Sequence, residues 1–278
     1  MKYGIFTILL AAVALCGCQG SQRRDVVDMD CPGKTTIDEA VRLLTLQKQN
    51  VQPLVAVASC TISWRQSDGR EKDENVDGRL KFIPPNMLIF QGNKFGKVQF
   101  GTNETEFWLL VEPELDTYWW GNKAQADQCV ETMLINPTNI AEALGIVEVT
   151  TDWKLSHRGN YDILDLVRDG KKVKRVYINT YDYLIDTIEY FDADEMKQVS
   201  IELSEYTPGD NGIMVPSRIW AGYFNKQGID ESSVEIELKQ FRVLAPEKQR
   251  KNLFVRPSPD GYKEVFRLNE QCEFELVE

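Results

Sequence analysis

The chain has 278 residues, 27% of them charged, and carries a net charge of −11 at pH 7. Such an acidic surface excludes a nucleic-acid partner, which needs a basic face to displace phosphate counterions, and leaves apolar burial as the route to any lipid. The length is enough for one large domain or two small ones.

At the N-terminus a single cation, Lys2, precedes an apolar run from Ile5 to Leu15 and then small residues. The run is too short to span a bilayer and has the three-part build of a secretory signal. It ends in "LCGCQGSQ" (15–22), which resembles the lipobox of bacterial lipoproteins: a leucine three residues before the modified cysteine and a small residue directly before it. Cys18 fits, with Leu15 and Gly17 in those places; Cys16 does not, because Leu15 would stand where the peptidase needs a small side chain. The resemblance implies a covalent lipid on Cys18 and a chain tethered to a membrane without crossing it, each buried CH₂ contributing roughly 0.8 kcal/mol to the anchor. Gln19 stands where lipoproteins retained at the inner membrane carry an aspartate, which favours the outer membrane, facing the periplasm. The expected organisation is a signal peptide over 1–17, a lipidated tether over 18–34 and one domain over 35–278.

Four further cysteines follow: Cys31, Cys60, Cys129 and Cys272. In an oxidising compartment an even set suggests disulfides, and four cysteines leave three pairings open. None lie at CxxC spacing, so no metal site is expected.

Thr36 and Glu39 form a capping box, and Ile37, Ala40, Val41 and Leu44 repeat at helical spacing up to about Gln49. From Leu54 the period drops to two. Strands are expected over 54–66, 75–82, 87–92, 96–102, 106–111 and 117–121, divided by turn signals such as Asp68-Gly69 and Pro84-Pro85-Asn86. A short helix is expected over 137–144, where Asn136 can cap, Pro137 suits the first position and Gly145 the stop. Strands resume over 153–157, 161–168, 173–179, 185–192, 198–206, 216–223 and 234–244. Strand after strand without intervening helices requires antiparallel pairing. The residues after Pro246 give no clear periodicity. One strand, Phe107 to Val111, is apolar on both faces and must be covered on both. Either a strongly curved sheet with cover on each side or the central strand of a sandwich would do this.

The segment "GRLKFIPPNMLIF" (78–90) is similar to the Gly-x-Leu-x-Φ-x-x-Pro-Asn segment (Φ apolar) of the periplasmic lipoprotein-carrier family, LolA, LolB and relatives. "TNETEFWLLVEP" (102–113) resembles that family's next turn and strand, "INPTNIAEALG" (135–145) falls where its lid helix lies, and "VPSRIWAGY" (215–223) looks like its late strand. The resemblance implies a mainly β (α+β) fold, a strongly curved antiparallel half-open β-barrel with helices covering the concave face, and an apolar cavity for acyl chains. Alternation then aims Leu80, Phe82, Val98, Phe100, Phe107, Leu109 and Val111 at the cavity, with Ile140 and Leu144 on the lid. One departure stands out: soluble carriers have an arginine just before the Pro-Asn pair, where this chain has Pro84. A tethered chain also cannot shuttle, so a LolB-like acceptor fits better than a LolA-like carrier. The nearest candidate for a membrane-inserting loop of the LolB kind is "TYWWG" (117–121), whose two tryptophans should face opposite sides.

No catalytic machinery is legible. His157, the single histidine, sits in an expected strand without a surrounding motif, and "GNKFGKV" (92–98) lacks the spacing and the Ser or Thr of a phosphate loop. "DADE" (192–195) reads as a solvated turn rather than a calcium loop. The expectation is a non-enzymatic protein with no cofactor beyond the lipid on Cys18. Its partners would be the membrane, through the anchor, and lipid or lipoprotein acyl chains. The alternative is an interaction or sensor module of the RseB-like type, with an envelope protein as partner and no bound lipid. A secreted hydrolase would require His157 to sit in a polar cleft.

Overall fold

The computed structural model describes residues 32–66, 68–93, 97–112, 116–129, 139, 142–145, 147–210, 212–225, 228 and 230–277. The expected signal peptide, Cys18, Cys31, most of the tether, Pro137 and Ile140 lie outside these residues.

Helix α1 (Ile37–Asn50) begins where the sequence places it: the Thr36 side chain caps the backbone N–H of Glu39 at 3.3 Å, and Asp38 and Glu39 occupy the first turn, where the helix dipole favours acid. Six strands follow, β1 (Leu54–Arg65), β2 (Glu71–Ile83), β3 (Met87–Asn93), β4 (Lys97–Thr102), β5 (Glu106–Val111) and β6 (Thr117–Asn122), and then a single helical turn, α2 (Lys123–Ala126). A second run comprises β7 (Lys154–Arg158), β8 (Tyr161–Arg168), β9 (Lys171–Asn179), β10 (Ile185–Phe191), β11 (Lys197–Pro208), β12 (Met214–Phe224) and β13 (Asp230–Val243). The tail adds β14 (Glu264–Leu268) and β15 (Phe274–Leu276).

All of these strands join one sheet of fifteen, in the order β15-β14-β6-β5-β4-β3-β2-β1-β13-β12-β11-β10-β9-β8-β7. Two antiparallel meanders therefore meet at the central pair β1–β13, and β14 adds in parallel along β6. This corrects the expected strongly curved, all-antiparallel half-barrel. The sheet is mixed, neither closed nor strongly curled, and its edges are β15 and β7. The tail supplies the physical reason, because it covers one face and extends one edge, so burying both faces of β5 does not require the sheet to roll up.

Alternation sorts the two faces. On the inner face α1 lays Ala40 and Leu44 against Ala56, Ala58 and Cys60 of β1, and the core continues through Leu80, Phe82, Phe90 and Phe100 on one side and Ile188, Ile201 and Ile219 on the other. On the outer face, Ile83, Ile89, Trp108, Leu110 and Tyr118 of β2 to β6 cluster with Val265 of neighbouring β14 and with Leu244 and Phe254 from beyond β13. Complete burial of Phe254 alone contributes roughly 2 kcal/mol. Polar ties fix this cover: the Tyr118 hydroxyl donates to the Pro257 carbonyl at 2.8 Å, and the Arg256 guanidinium donates to Glu106 at 3.0 Å. A disulfide, Cys129–Cys272, joins the end of the first run to the tail, leaving Cys60 as a free, buried thiol. Trp108 needs its glycine: Gly101 is its cross-strand partner, and a Cβ there would lie 2.5 Å from the indole.

Trp119 and Trp120 face opposite sides of the sheet, as alternation requires, and both are half-buried. β6 is an interior strand, Trp119 stacks on Phe266 at 6.1 Å, and Trp120 lies beneath the guanidinium groups of Arg256 and Arg267. The sequence reading could not foresee β14, whose arrival turns an edge into an interior position.

Candidate functional site

A partly apolar concavity lies where α1 ends. Gly145 adopts φ +99°, open to glycine without strain, and its N–H closes a turn on the Glu142 carbonyl at 2.9 Å. That turn brings Leu144 against Val51 at the foot of α1. Across from them stand Ile185 of β10, Leu203 and Tyr206 of β11, and Ile213, Met214 and Pro216 at the start of β12. Together with the polar side chains of Gln47, Asn50 and Asp182 they line a hollow of about 230 Å³. A smaller recess of about 40 Å³, lined by Pro53, Leu54, Val215 and Phe241, continues from it and shares Val51, Leu144, Ile213 and Met214. Its polar rim is tied down: Gln47 donates to the Tyr183 carbonyl at 2.8 Å, and the Tyr206 hydroxyl to the Ile185 carbonyl at 2.5 Å. Burial pushes the Tyr206 hydroxyl well above the ordinary tyrosine range, so it stays a neutral donor.

Segment 142–145 is fastened to the sheet beside the hollow. The Glu142 carboxylate accepts from both the Lys174 ammonium of β9 and the Tyr190 hydroxyl of β10. Lys174 is buried and also lies over the Tyr190 ring at 4.9 Å. This is a charged contact largely removed from water.

The residues expected to face an acyl cavity share one face of the sheet, as the register Leu80↔Phe90, Phe90↔Phe100 and Phe100↔Leu109 requires. Leu80, Phe82, Val98, Phe100 and Val111 sit in the packed core, and Leu109 is half-buried against it. Phe107 belongs to a separate cluster with Ala126, the disulfide and Leu268. Of the expected residues, Leu144 lines the hollow, and Ile140 lies outside the described residues. The sequence reading does not single out Val51, Leu203, Tyr206, Ile213 or Met214. The one local signal was the apolar pair Ile213-Met214 directly after the Gly209–Gly212 turn.

His157 is exposed on β7 and lines none of the described cavities. Its Nδ1 lies 2.9 Å from Asp162 Oδ1, and Asp162, fully buried, also accepts the Lys34 N–H at 2.9 Å. A Cβ on Gly33 would fall 2.0 Å from that carboxylate, so the last residues of the expected tether dock closely on β8. Asp192 of "DADE" spends its carboxylate on its own turn, accepting from the backbone of Asp194 and Met196 and from the Gln198 amide, each at 2.9 Å.

These features define a protein with an open, mainly β sheet, helix α1 on its inner face and a partly apolar hollow at the helix foot. No family model matches the sequence, and no curated protein is similar to it. The structure matches an outer membrane lipoprotein-sorting protein domain from Vibrio parahaemolyticus at 10% identity and a TM-score of 0.46, over 78% of this chain and 97% of that one. It also matches a LolA superfamily protein from Nitrosomonas europaea (9% identity, TM-score 0.48, 80% of this chain and 99% of that one). A DUF1329 family protein from Desulfovibrio piger gives 11% identity and a TM-score of 0.47, over 80% of this chain and all of that one. These likenesses concern layout, and nothing about what this chain binds follows from them.

Proposed function

We propose that the chain is a lipoprotein of the bacterial cell envelope, anchored through Cys18 and facing the periplasm, that holds an acyl chain of a lipid or of another lipoprotein. The hollow between Val51, Leu144, Leu203 and Met214 carries the reading, because an acyl chain needs no hydrogen-bond partner, only a dry concave surface. The lipobox-like "LCGC" and the carrier-like "GRLKFIPPNMLIF" support it from the sequence side. At about 230 Å³ the hollow falls below the roughly 300–1,000 Å³ of common ligand pockets. Admitting a whole acyl chain therefore requires segment 142–145 to lift, and its latch to Lys174 and Tyr190 sets the cost of lifting.

The test is native mass spectrometry of the detergent-free chain, followed by titration with a fluorescent fatty acid. Co-purifying acyl species, or probe binding blocked by Leu144→Trp, supports the reading; a clean apo mass with no probe uptake overturns it. The anchor is tested separately by membrane fractionation of Cys18→Ala, which should release the chain.

A second reading is favoured by a different observation. The face expected to receive acyl chains is filled by the chain's own side chains, with Leu80, Phe82 and Phe100 fully buried. A filled face suits an envelope interaction or sensor module that recognises a protein partner and carries no lipid.

A further inference from the structure

The outer face of the central strand β1 carries a feature that the acyl reading does not use. Val55 and Val57 point outward there, and Val57 remains 42% exposed. Arg242 of β13 is the cross-strand partner of Val55, and Arg79 of β2 is the partner of Val57, so the two guanidinium groups flank β1 from either side on one face. Between them lies a concavity of about 250 Å³ that also includes the Gln240 amide side chain.

Neither arginine has a salt bridge or hydrogen bond among the described residues, in a chain where acid exceeds base by eleven. The local topology explains why. The β1–β13 ladder slips between Val57 and Ala58, and the residue passed over is Lys239. A bulge of this kind re-aims the extra side chain. Lys239 reaches across to Asp77 at 3.4 Å, while Ser59 donates to the same carboxylate oxygen at 2.7 Å. Asp77 lies two residues before Arg79 on the same face of β2 and is the natural counter-ion for it; the bulge assigns it to Lys239 instead. The other nearby acid, Asp210, accepts the Val243 backbone N–H at 3.1 Å.

We infer that Arg79 and Arg242 form an anion-binding site on the outer face of β1, which takes a phosphate group carried on an apolar body. Two forked guanidinium groups match the oxygens of a phosphate, the Gln240 amide adds a donor, and exposed Val57 beside half-buried Val55 provides a surface for the body of the ligand. The site lies on the opposite face of β1 from α1 and is independent of the acyl-chain reading.

The experiment titrates the full-length chain with three probes: inorganic phosphate, dodecyl phosphate, and phosphatidylcholine vesicles with and without phosphatidylglycerol. Dodecyl phosphate should bind more tightly than inorganic phosphate, and Arg79→Gln/Arg242→Gln should weaken it by about tenfold or more. Val57→Glu, which keeps both arginines but sets a carboxylate between them, should compete and produce a similar loss. Arg168→Gln, at an exposed arginine that ends β8, should change nothing. If the double variant loses dodecyl phosphate and phosphatidylglycerol vesicles but not inorganic phosphate, the source is a lipid headgroup; if inorganic phosphate is lost as well, the site takes free phosphate. Absence of binding to every probe, binding unchanged in the double variant, or an equal loss in Arg168→Gln overturns the site. Loss in Leu144→Trp but not in the arginine variant would place dodecyl phosphate in the hollow and also overturn it.

Discussion

Lys174 and Glu142 meet in a buried charged contact that pins segment 142–145 onto β9 and β10, with the Tyr190 hydroxyl donating to the same carboxylate oxygen. Removing one member of such a contact leaves the other desolvated and uncompensated. Lys174→Met should therefore cost about 2–3 kcal/mol in denaturant unfolding, and Lys174→Met/Glu142→Gln should recover part of that loss. Amide exchange at Ala143 to Gly145 should accelerate in the single variant more than the global stability change explains. Equal protection there would refute the latch.

The hollow and the packed face make opposite demands on mutations. Leu144→Trp fills the hollow and should abolish fatty-acid probe uptake while costing no more than about 1–3 kcal/mol, since Leu144 also belongs to the packed core. Leu80→Ala, within the packed core, should cost roughly 2–5 kcal/mol yet retain uptake in the molecules that remain folded. Paired thermal melts and probe titrations check both, and the reverse pattern would put the ligand among Leu80, Phe82 and Phe100.

Alkaline pH should destabilise the fold in two steps. Burial pushes the Cys60 thiol from an ordinary 9.0 up to about 12. Burial first, and then the Glu142 charge, raises Tyr190 well above 10.0. Each group holds its proton in the fold at a pH where the unfolded chain has released it. The unfolded state then binds fewer protons, and stability falls as pH rises, by about 1 kcal/mol per pH unit per group. The contribution is intact below pH 9, declines first through Cys60, and declines more steeply above pH 10 as the tyrosines join. Urea titrations from pH 8 upward should show this, and Cys60→Ala should move the onset up by about one unit even though it lowers the plateau.

The Cys129–Cys272 bridge spans 143 residues of sequence. Closing so long a loop restricts the unfolded chain strongly, so Cys129→Ser/Cys272→Ser should lose about 3–5 kcal/mol. The first region to exchange amides faster should be β14 and β15, whose anchors are the bridge and Leu268. A thermal melt unchanged in the variant would show that the outer cover at Phe254 and Tyr118 holds the tail unaided.

Much of the framework was legible from residue patterns. Thr36, Ile37, Ala40 and Leu44 mark α1 because capping and the 3.6-residue period are local properties. The thirteen strands before Pro246 announce themselves by alternation, and alternation also places Leu80, Phe82, Phe100 and Leu109 on one face. The tail was not legible: β14 and β15 are short, and β14 exists by pairing with β6, a partner more than a hundred residues away, while β15 exists by pairing with β14. The hollow was not legible either, since Val51, Leu203 and Met214 belong to three elements that carry no shared motif.

The sequence by itself determined where chain direction changes, which residues alternate, and that Phe107 to Val111 must be covered on both faces, because all three depend on neighbours within a few residues. Tertiary structure alone decided what covers them. It sent the tail to the outer face, chose Cys129 for Cys272, gave Asp77 to Lys239 rather than Arg79, and left the hollow at the foot of α1. These outcomes depend on which distant surfaces can be brought together without stranding a polar group, and no local pattern encodes that competition.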